Sequence, residues 1–311
     1  MKLAILGTGG VGGYFGGRLA QAGNDVTFLA RGEHLRAIRQ NGLTVKSIKG
    51  DITISPAVAT DIIKDIGPVD CVIVAVKAWQ VKDIAKDLHH IVTKDTMVLP
   101  LENGVLAADE LAEHISHDSI VGGLCRIISK IESPGVISHF GMEPTILFGE
   151  FNNTSSVRLQ TLQTLFNNAG IHAHISRDIT ADLWKKLISI CLSGLLAVTR
   201  TTYGELRELK ETRQMMYDVL HEVYALSQKI GVHIEADYID KAVALIDSFP
   251  YDSTSSLTRD VWEGKPSEIE YQNGTVIRLA EKYGIKTPVN RFIYTCILPM
   301  EMKARKLLVK K

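Results

Sequence analysis

Lys2-Leu3-Ala4-Ile5-Leu6-Gly7-Thr8-Gly9-Gly10-Val11-Gly12 opens the chain with a short apolar run followed at once by glycines in G-x-G-x-x-G spacing. The run reads as a strand and the residues after it as a helix, which gives each glycine a physical task. Gly7 permits a tight turn, Gly9 lets backbone approach a pyrophosphate, and Gly12 lets the helix pack close to the strand. Amide groups at the helix N-terminus, with the positive end of its dipole, favour a diphosphate at that turn. Gly7, Thr8, Gly9, Gly10, Val11 and Gly12 are therefore the expected cradle of a dinucleotide. The alternative is a turn that uses glycine only for its φ > 0 freedom.

The next strand selects the dinucleotide. Asp25-Val26-Thr27-Phe28-Leu29-Ala30 follows a glycine helix stop at Gly23 and ends on Arg31. NAD sites of this type place a carboxylate about 20 residues beyond the glycines, where it accepts from the ribose hydroxyls. Here that strand end carries a guanidinium, which pairs with a 2′-phosphate, so NADP(H) is the expected cofactor unless Arg31 is a solvated loop residue.

With 311 residues and 45% hydrophobic content, the chain is long enough for two cores. Lys and Arg (35) balance Asp and Glu (35), so no charge excess points to nucleic acid. Lys303, Arg305, Lys306, Lys310 and Lys311 read as a solvated tail. No stretch approaches a membrane span and the opening run is too short for a signal peptide, so a cytoplasmic protein without membrane partners is expected. Cys71, Cys125, Cys191 and Cys296 lack C-x-x-C spacing and read as reduced thiols. His114 and His117 could share a helix face but have no companion ligands, so no metal is expected. The sequence leaves the oligomeric state open, with a homodimer among the assemblies it allows.

Strand and helix signals alternate through the first half, as a parallel sheet with crossover helices requires. Leu43–Val45 and Ile52–Ile54 read as an inserted antiparallel hairpin. Val69–Val76 reads as a strand buried on both faces and Thr96–Leu101 as another; shorter runs at 120–128, 135–139 and 145–148 finish the domain. Lys77 follows the first of these strands, and Asn103-Gly104 follows the second. Ligands bind beyond the carboxyl ends of such strands, where the glycines, Arg31, Lys77 and Asn103 all fall. Taken singly, Lys77 could be a surface lysine and Asn103-Gly104 an ordinary turn. After about residue 175 helical patterns take over, at 178–198, 211–230, 237–247 and 268–283. The expected fold is α/β: a Rossmann-type dinucleotide-binding domain over 1–175 and an all-α substrate and catalytic domain over 176–311.

Two segments of the second half could supply chemistry. In Asp182-Leu183-Trp184-Lys185-Lys186-Leu187, Lys186 borders an apolar helix face, where it can either snorkel or, partly desolvated, donate a proton. In Ser253–Asp260 and Gly264–Glu270, Ser267 with Glu270 matches a capping box, placing Glu268 in a first helical turn where any acid is comfortable.

From end to end the chain resembles the ketopantoate reductases, the NADPH-dependent 2-dehydropantoate 2-reductase family. The resemblance is carried by the glycines with Arg31, Val76-Lys77-Ala78, Glu102-Asn103-Gly104, Trp184-Lys185-Lys186-Leu187, and Ser255-Ser256 through Asp260 and Glu268 to Asn273-Gly274. It implies that Lys186 is the catalytic group at the substrate ketone. It also implies that Ser256 holds the substrate carboxylate and Glu268 its hydroxyl end. Asn103 then lies near nicotinamide and substrate, and Lys77 lines the cofactor cleft. The family pattern has asparagines four and eight residues after the lysine; here those positions are Ile190 and Gly194, with Ser193 out of register. The implied reaction reduces ketopantoate to pantoate, for pantothenate and coenzyme A synthesis. The departures keep a different 2-oxo acid open, and a non-catalytic NADP(H)-binding sensor is the third reading.

Overall fold

The computed structural model describes residues 1–308. They form two compact units: Met1–Glu102 with Leu106–Ile179, and Asn103–Val105 with the chain from Thr180 onward. In the first, β1 (Lys2–Leu6), α1 (Gly10–Gln21), β2 (Asp25–Leu29) and α2 (Gly32–Asn41) lead into β3 (Leu43–Ser47), β4 (Ile52–Ile54) and β5 (Val58–Thr60). Next come β6 (Cys71–Val74), α3 (Val81–Ala85), β7 (Met97–Pro100) and α4 (Ala107–Ala112). The unit closes with β8 (Gly122–Arg126), β9 (Ser129–Ser133), β10 (Val136–His139), β11 (Thr145–Gly149), α5 (Val157–Asn168) and β12 (His172–Ile175).

Five strands pair in parallel in the order β5-β2-β1-β6-β7. The chain leaves β1 toward β2 and later returns to its other side as β6. That reversal opens a crevice beyond the carboxyl end of β1, the position where a doubly wound sheet takes a dinucleotide. The Rossmann-type expectation holds, and β6 is buried along its whole length as its apolar run requires. β3 and β4 form the expected antiparallel hairpin. The later short strands finish the unit without widening the parallel sheet. β4-β3-β10-β9 and β12-β11-β8 are separate sheets, and an isolated parallel bridge pairs Val98 of β7 with Ile120, just before β8.

α1 is buried from Gly12 to Leu19 because it is covered on two sides. A Cβ at Gly12 would lie 2.1 Å from the Gly7 carbonyl oxygen, and one at Gly16 2.8 Å from Ile5, both toward β1. A Cβ at Gly13 would lie 2.6 Å from Ile137 of β10, and one at Gly17 2.9 Å from Val45 of β3. Glycine thus serves two faces of one helix, where side chains would hold both sheets away.

The second unit is helical: α6 (Ile179–Ile190), α7 (Leu192–Thr199), α8 (Tyr203–Glu208), α9 (Lys210–Ile230), α10 (Tyr238–Asp247), α11 (Ser256–Trp262), α12 (Asn273–Tyr283) and α13 (Pro288–Ala304). Its core gathers Leu187, Leu195, Val223, Ile269, Val276 and Ile293. Among the described residues no helix is long and apolar enough to cross a membrane.

Several expectations need correction. The helix read over 178–198 is broken at Cys191, so the lysine and the residues four and eight beyond it do not share one uninterrupted helix. The capping box does not form. Glu301 of α13 takes both the Ser267 backbone N–H (2.9 Å) and its hydroxyl (2.6 Å), while Glu270 accepts from Arg278 and from the Tyr294 hydroxyl. The helix therefore starts at Asn273 and leaves Glu268 in a turn. Arg305 belongs to no loose tail: its Nε donates to the buried Glu301 at 2.5 Å. Lys310 and Lys311 lie outside the described residues. His114 lies in the turn after α4 and His117 in a short 3₁₀ segment, so no common helix face carries them. Cys71, Cys125 and Cys191 are buried and Cys296 half-buried, and none of the four is in a disulfide, as expected of reduced thiols.

Because the Cβ of an alanine at position 12 would strike backbone, Gly12→Ala is expected to destabilise by about 1–3 kcal/mol or more. A Cβ at Gly9 meets nothing within 4 Å, so Gly9→Ala should cost only about the few tenths to 1 kcal/mol by which alanine is the poorer N-cap. Thermal unfolding of the two variants checks this, and equal melting temperatures would contradict it.

Candidate active site

The first unit gathers its candidates at strand ends. Gly7 takes a φ of +99°, and a Cβ there would lie 2.8 Å from the Ala75 carbonyl oxygen and the Val76 nitrogen beyond β6. Thr8 spends its side chain inward: its hydroxyl and its backbone N–H both donate to the Leu29 carbonyl oxygen, at 2.9 and 3.0 Å. The glycine turn is thereby tied to the end of β2, where Arg31 is the exposed N-cap of α2. Gly9 caps α1 with no side-chain hydrogen bond, and the first turn of α1 contains no acid. Lys77 is exposed beyond β6, with its Nζ 5.7 Å from the centre of the Trp79 ring and its backbone N–H donating to the Gln80 side chain at 3.2 Å.

These residues fit a dinucleotide on their own geometry. The space beside Gly9 is clear of protein, while the helix that begins there is pressed against β1 at Gly12. Ser129, which sequence reasoning missed, starts β9 beside α1. Its buried hydroxyl has no hydrogen-bond partner in the structure, and it lies 2.9 Å from where a Cβ on Gly10 would be. Nothing in the sequence pairs Ser129 with Gly10; only the second sheet brings them together. A cavity of about 450 Å³ beyond β2 is lined by Arg31, Lys64 and His90 together with Asp61, Asp83 and Asp87, so the arginine sits in mixed-charge surroundings.

In the second unit, Asn103 and Glu268 meet across 165 positions of sequence, the amide Nδ2 donating to the carboxylate at 2.9 Å. Glu268 is 5% exposed. The turn that carries it is pinned at Ser267 by Glu301, and a Cβ at Gly104 would lie 2.9 Å from the Tyr271 carbonyl oxygen. Lys186 is half-buried on α6. Its neighbour Lys185 is committed elsewhere, with Nζ 2.8 Å from Glu235. Ser256 is exposed at the first position of α11, and Ser255 does the capping by accepting the Thr258 N–H at 3.1 Å.

α7 is the common support of these segments. Its Ser193 carbonyl accepts the Thr258 hydroxyl (2.8 Å) and its Ala197 carbonyl accepts the Trp262 indole N–H (3.2 Å), fixing α11. Gly194 faces the core: a Cβ there would lie 2.6 Å from Ile293 and 2.8 Å from the Asn273 Oδ1. An asparagine has no room at that position in this packing. Ile190 ends α6, half-buried. Among the described residues no group of three or more His, Cys, Asp or Glu is placed to hold a metal.

His34 of α2 accepts the Gly135 backbone N–H on Nδ1 at 3.0 Å, which leaves its proton on Nε2. Burial holds its pKa below the usual histidine value, against a smaller upward pull from the Thr8 backbone. A folded pKa below the unfolded one gives stability that is present above about pH 6.5 and lost as pH falls through the lowered value. The melting temperature should accordingly fall between about pH 7 and pH 5, and His34→Leu should flatten that fall. An unchanged slope in the variant would remove His34 from the pH response.

Comparison with known proteins matches two family models, "Ketopantoate reductase PanE/ApbA" over residues 3–153 and its C-terminal counterpart over residues 178–301. The 2-dehydropantoate 2-reductase of Nostoc is 32% identical over 300 residues, covering 94% of this chain and 93% of that protein. The structure of the Geobacter metallireducens 2-dehydropantoate 2-reductase superposes with a TM-score of 0.89 at 29% identity, covering 96% of this chain and 99% of that one. A D-mandelate dehydrogenase solved with NADH and anilino(oxo)acetate shares the fold, with a TM-score of 0.89 at 23% identity over 98% and 99% of the two chains.

Proposed function

The chain belongs to the ketopantoate reductase family, and from that premise we propose that it reduces ketopantoate to pantoate with NADPH. The observation that carries the reading is the buried Glu268 carboxylate held by Asn103. A carboxylate offers about four acceptor sites and no donor, so a substrate hydroxyl is a group it can bind by accepting. A buried acceptor of this kind discriminates strongly, because an analogue without the hydroxyl leaves it poorly satisfied.

Gly7, Gly9, Gly10, Val11 and Gly12, with the backbone of Thr8, would hold the pyrophosphate, and Arg31 the 2′-phosphate of the adenosine, with Lys77 lining the cofactor cleft and Asn103 beside the nicotinamide. The bound cofactor supplies the hydride that reduces C2 of the substrate. Lys186 holds the carbonyl oxygen by a charge-assisted hydrogen bond and gives it a proton as negative charge develops there. Ser256 takes the carboxylate, and Glu268 accepts from the hydroxyl at the far end. A second reading, reduction of a bulkier or less polar 2-oxo acid, is favoured by Ile190, an apolar side chain at a position where the family pattern has an amide.

NADPH oxidation by the purified protein, followed by absorbance with a panel of 2-oxo acids, tests the reading. Turnover is expected, and Lys186→Ala should lower kcat by about a hundredfold or more while NADPH affinity is kept. Near-normal turnover in that variant would take the acid role from Lys186, and NADPH binding without any turnover would make the protein a sensor. For the cofactor, Arg31→Ala should weaken NADPH relative to NADH by roughly tenfold or more, the effect of one lost charge-assisted hydrogen bond. An unchanged preference would remove the 2′-phosphate from Arg31.

A further inference from the structure

Lys186 and Glu268 lie on separate segments, and one buried side chain joins those segments. Asn273 opens α12 five residues after Glu268 and is fully buried. Its Nδ2 donates to the Cys191 carbonyl oxygen at 3.1 Å, at the break between α6 and α7, five residues after Lys186. The same nitrogen donates to Asn290 Oδ1 on α13 at 2.9 Å.

The polarity of this chain of bonds is set from its far end. Glu222 of α9 accepts the backbone N–H of Val289 (2.8 Å) and of Asn290 (2.9 Å), and also Asn290 Nδ2 (2.7 Å). A carboxylate only accepts, so Asn290 must turn its amide nitrogen toward Glu222 and its oxygen toward Asn273. Asn273 in turn must present its nitrogen, which is the atom the Cys191 carbonyl needs. Its Oδ1 is buried without a hydrogen-bond partner and faces position 194, where only glycine leaves room for it.

Resting on the roles given above to Lys186 and Glu268, we propose that Asn273 is a positioning residue. Its carboxamide fixes the offset between the lysine helix and the glutamate turn, with Gly194 as the matched vacancy and Glu222–Asn290 as the orienting pair.

The test reads Lys186 directly and does not depend on turnover. Reductive methylation of Lys186 is followed by peptide mass spectrometry in wild type, Asn273→Ala and Gly194→Ala, with Lys185 as internal reference and folding checked by circular dichroism. The Lys186-to-Lys185 rate ratio should change by about threefold or more in both variants, the size expected for residues coupled through one network. Should Asn273→Ala fail to fold, Asn290→Leu removes only the orienting partner and carries the same expectation. Where wild type turns over a 2-oxo acid, kcat in Asn273→Ala should fall about tenfold with NADPH affinity unchanged. A lower melting temperature with the ratio and kcat both unchanged would overturn the proposal. Loss of wild-type turnover, by contrast, would count against the proposed reaction alone.

Discussion

The close approach of α1 to two sheets at once is the constraint on which the first unit depends. Gly12 and Gly16 admit the helix to β1 and β2, and Gly13 and Gly17 admit the second sheet to the helix. Enclosed in this way, α1 begins at a fixed point beyond β1, with the space at Gly9 open and the Ser129 hydroxyl alongside. A helix N-terminus without acid in its first turn is suited to a diphosphate. The side that would receive one is also the side where the strand order reverses.

In the second unit the corresponding role falls to backbone carbonyls around α7. Those of Cys191, Ser193 and Ala197 accept from Asn273, Thr258 and Trp262, three side chains on two other helices. The Cys191 carbonyl is available because the helix breaks there, and the Ala197 carbonyl because it lies in the last turn of α7, where carbonyls lack an intrahelical partner. Buried polar groups satisfied this way specify one arrangement of their segments. Glu301 adds a second clamp at Ser267, next to Glu268, so the turn bearing the carboxylate is held on both sides.

Much of this was legible in the sequence, and the failures have physical causes. The glycine spacing and the apolar run of β6 identified the parallel sheet because both are local consequences of burial and close approach. The family motifs picked out Asn103 and Glu268, which the structure brings to 2.9 Å. The break at Cys191 was not legible, since apolar periodicity runs through it without a proline or a stop signal. Nor was the failure of the capping box: Ser267 and Glu270 have the right spacing, but a carboxylate 34 residues away competes for the serine. Ser129 and the Glu222–Asn290–Asn273 chain are long-range in the same sense, and short-range pattern carries no trace of them. Gly194 looked like a lost contact from its place in the motif, whereas its surroundings make it a packing requirement.

Whether the buried carboxylate reads a hydroxyl is the central question, and substrate discrimination by the wild-type protein answers it most directly. The measurement is kcat/KM with NADPH for ketopantoate and for its analogue with a methyl group in place of the hydroxymethyl group. A preference for ketopantoate of about a hundredfold or more is expected, as for sites built to bind a hydroxyl. Equal efficiencies, or a preference for the analogue, would contradict it.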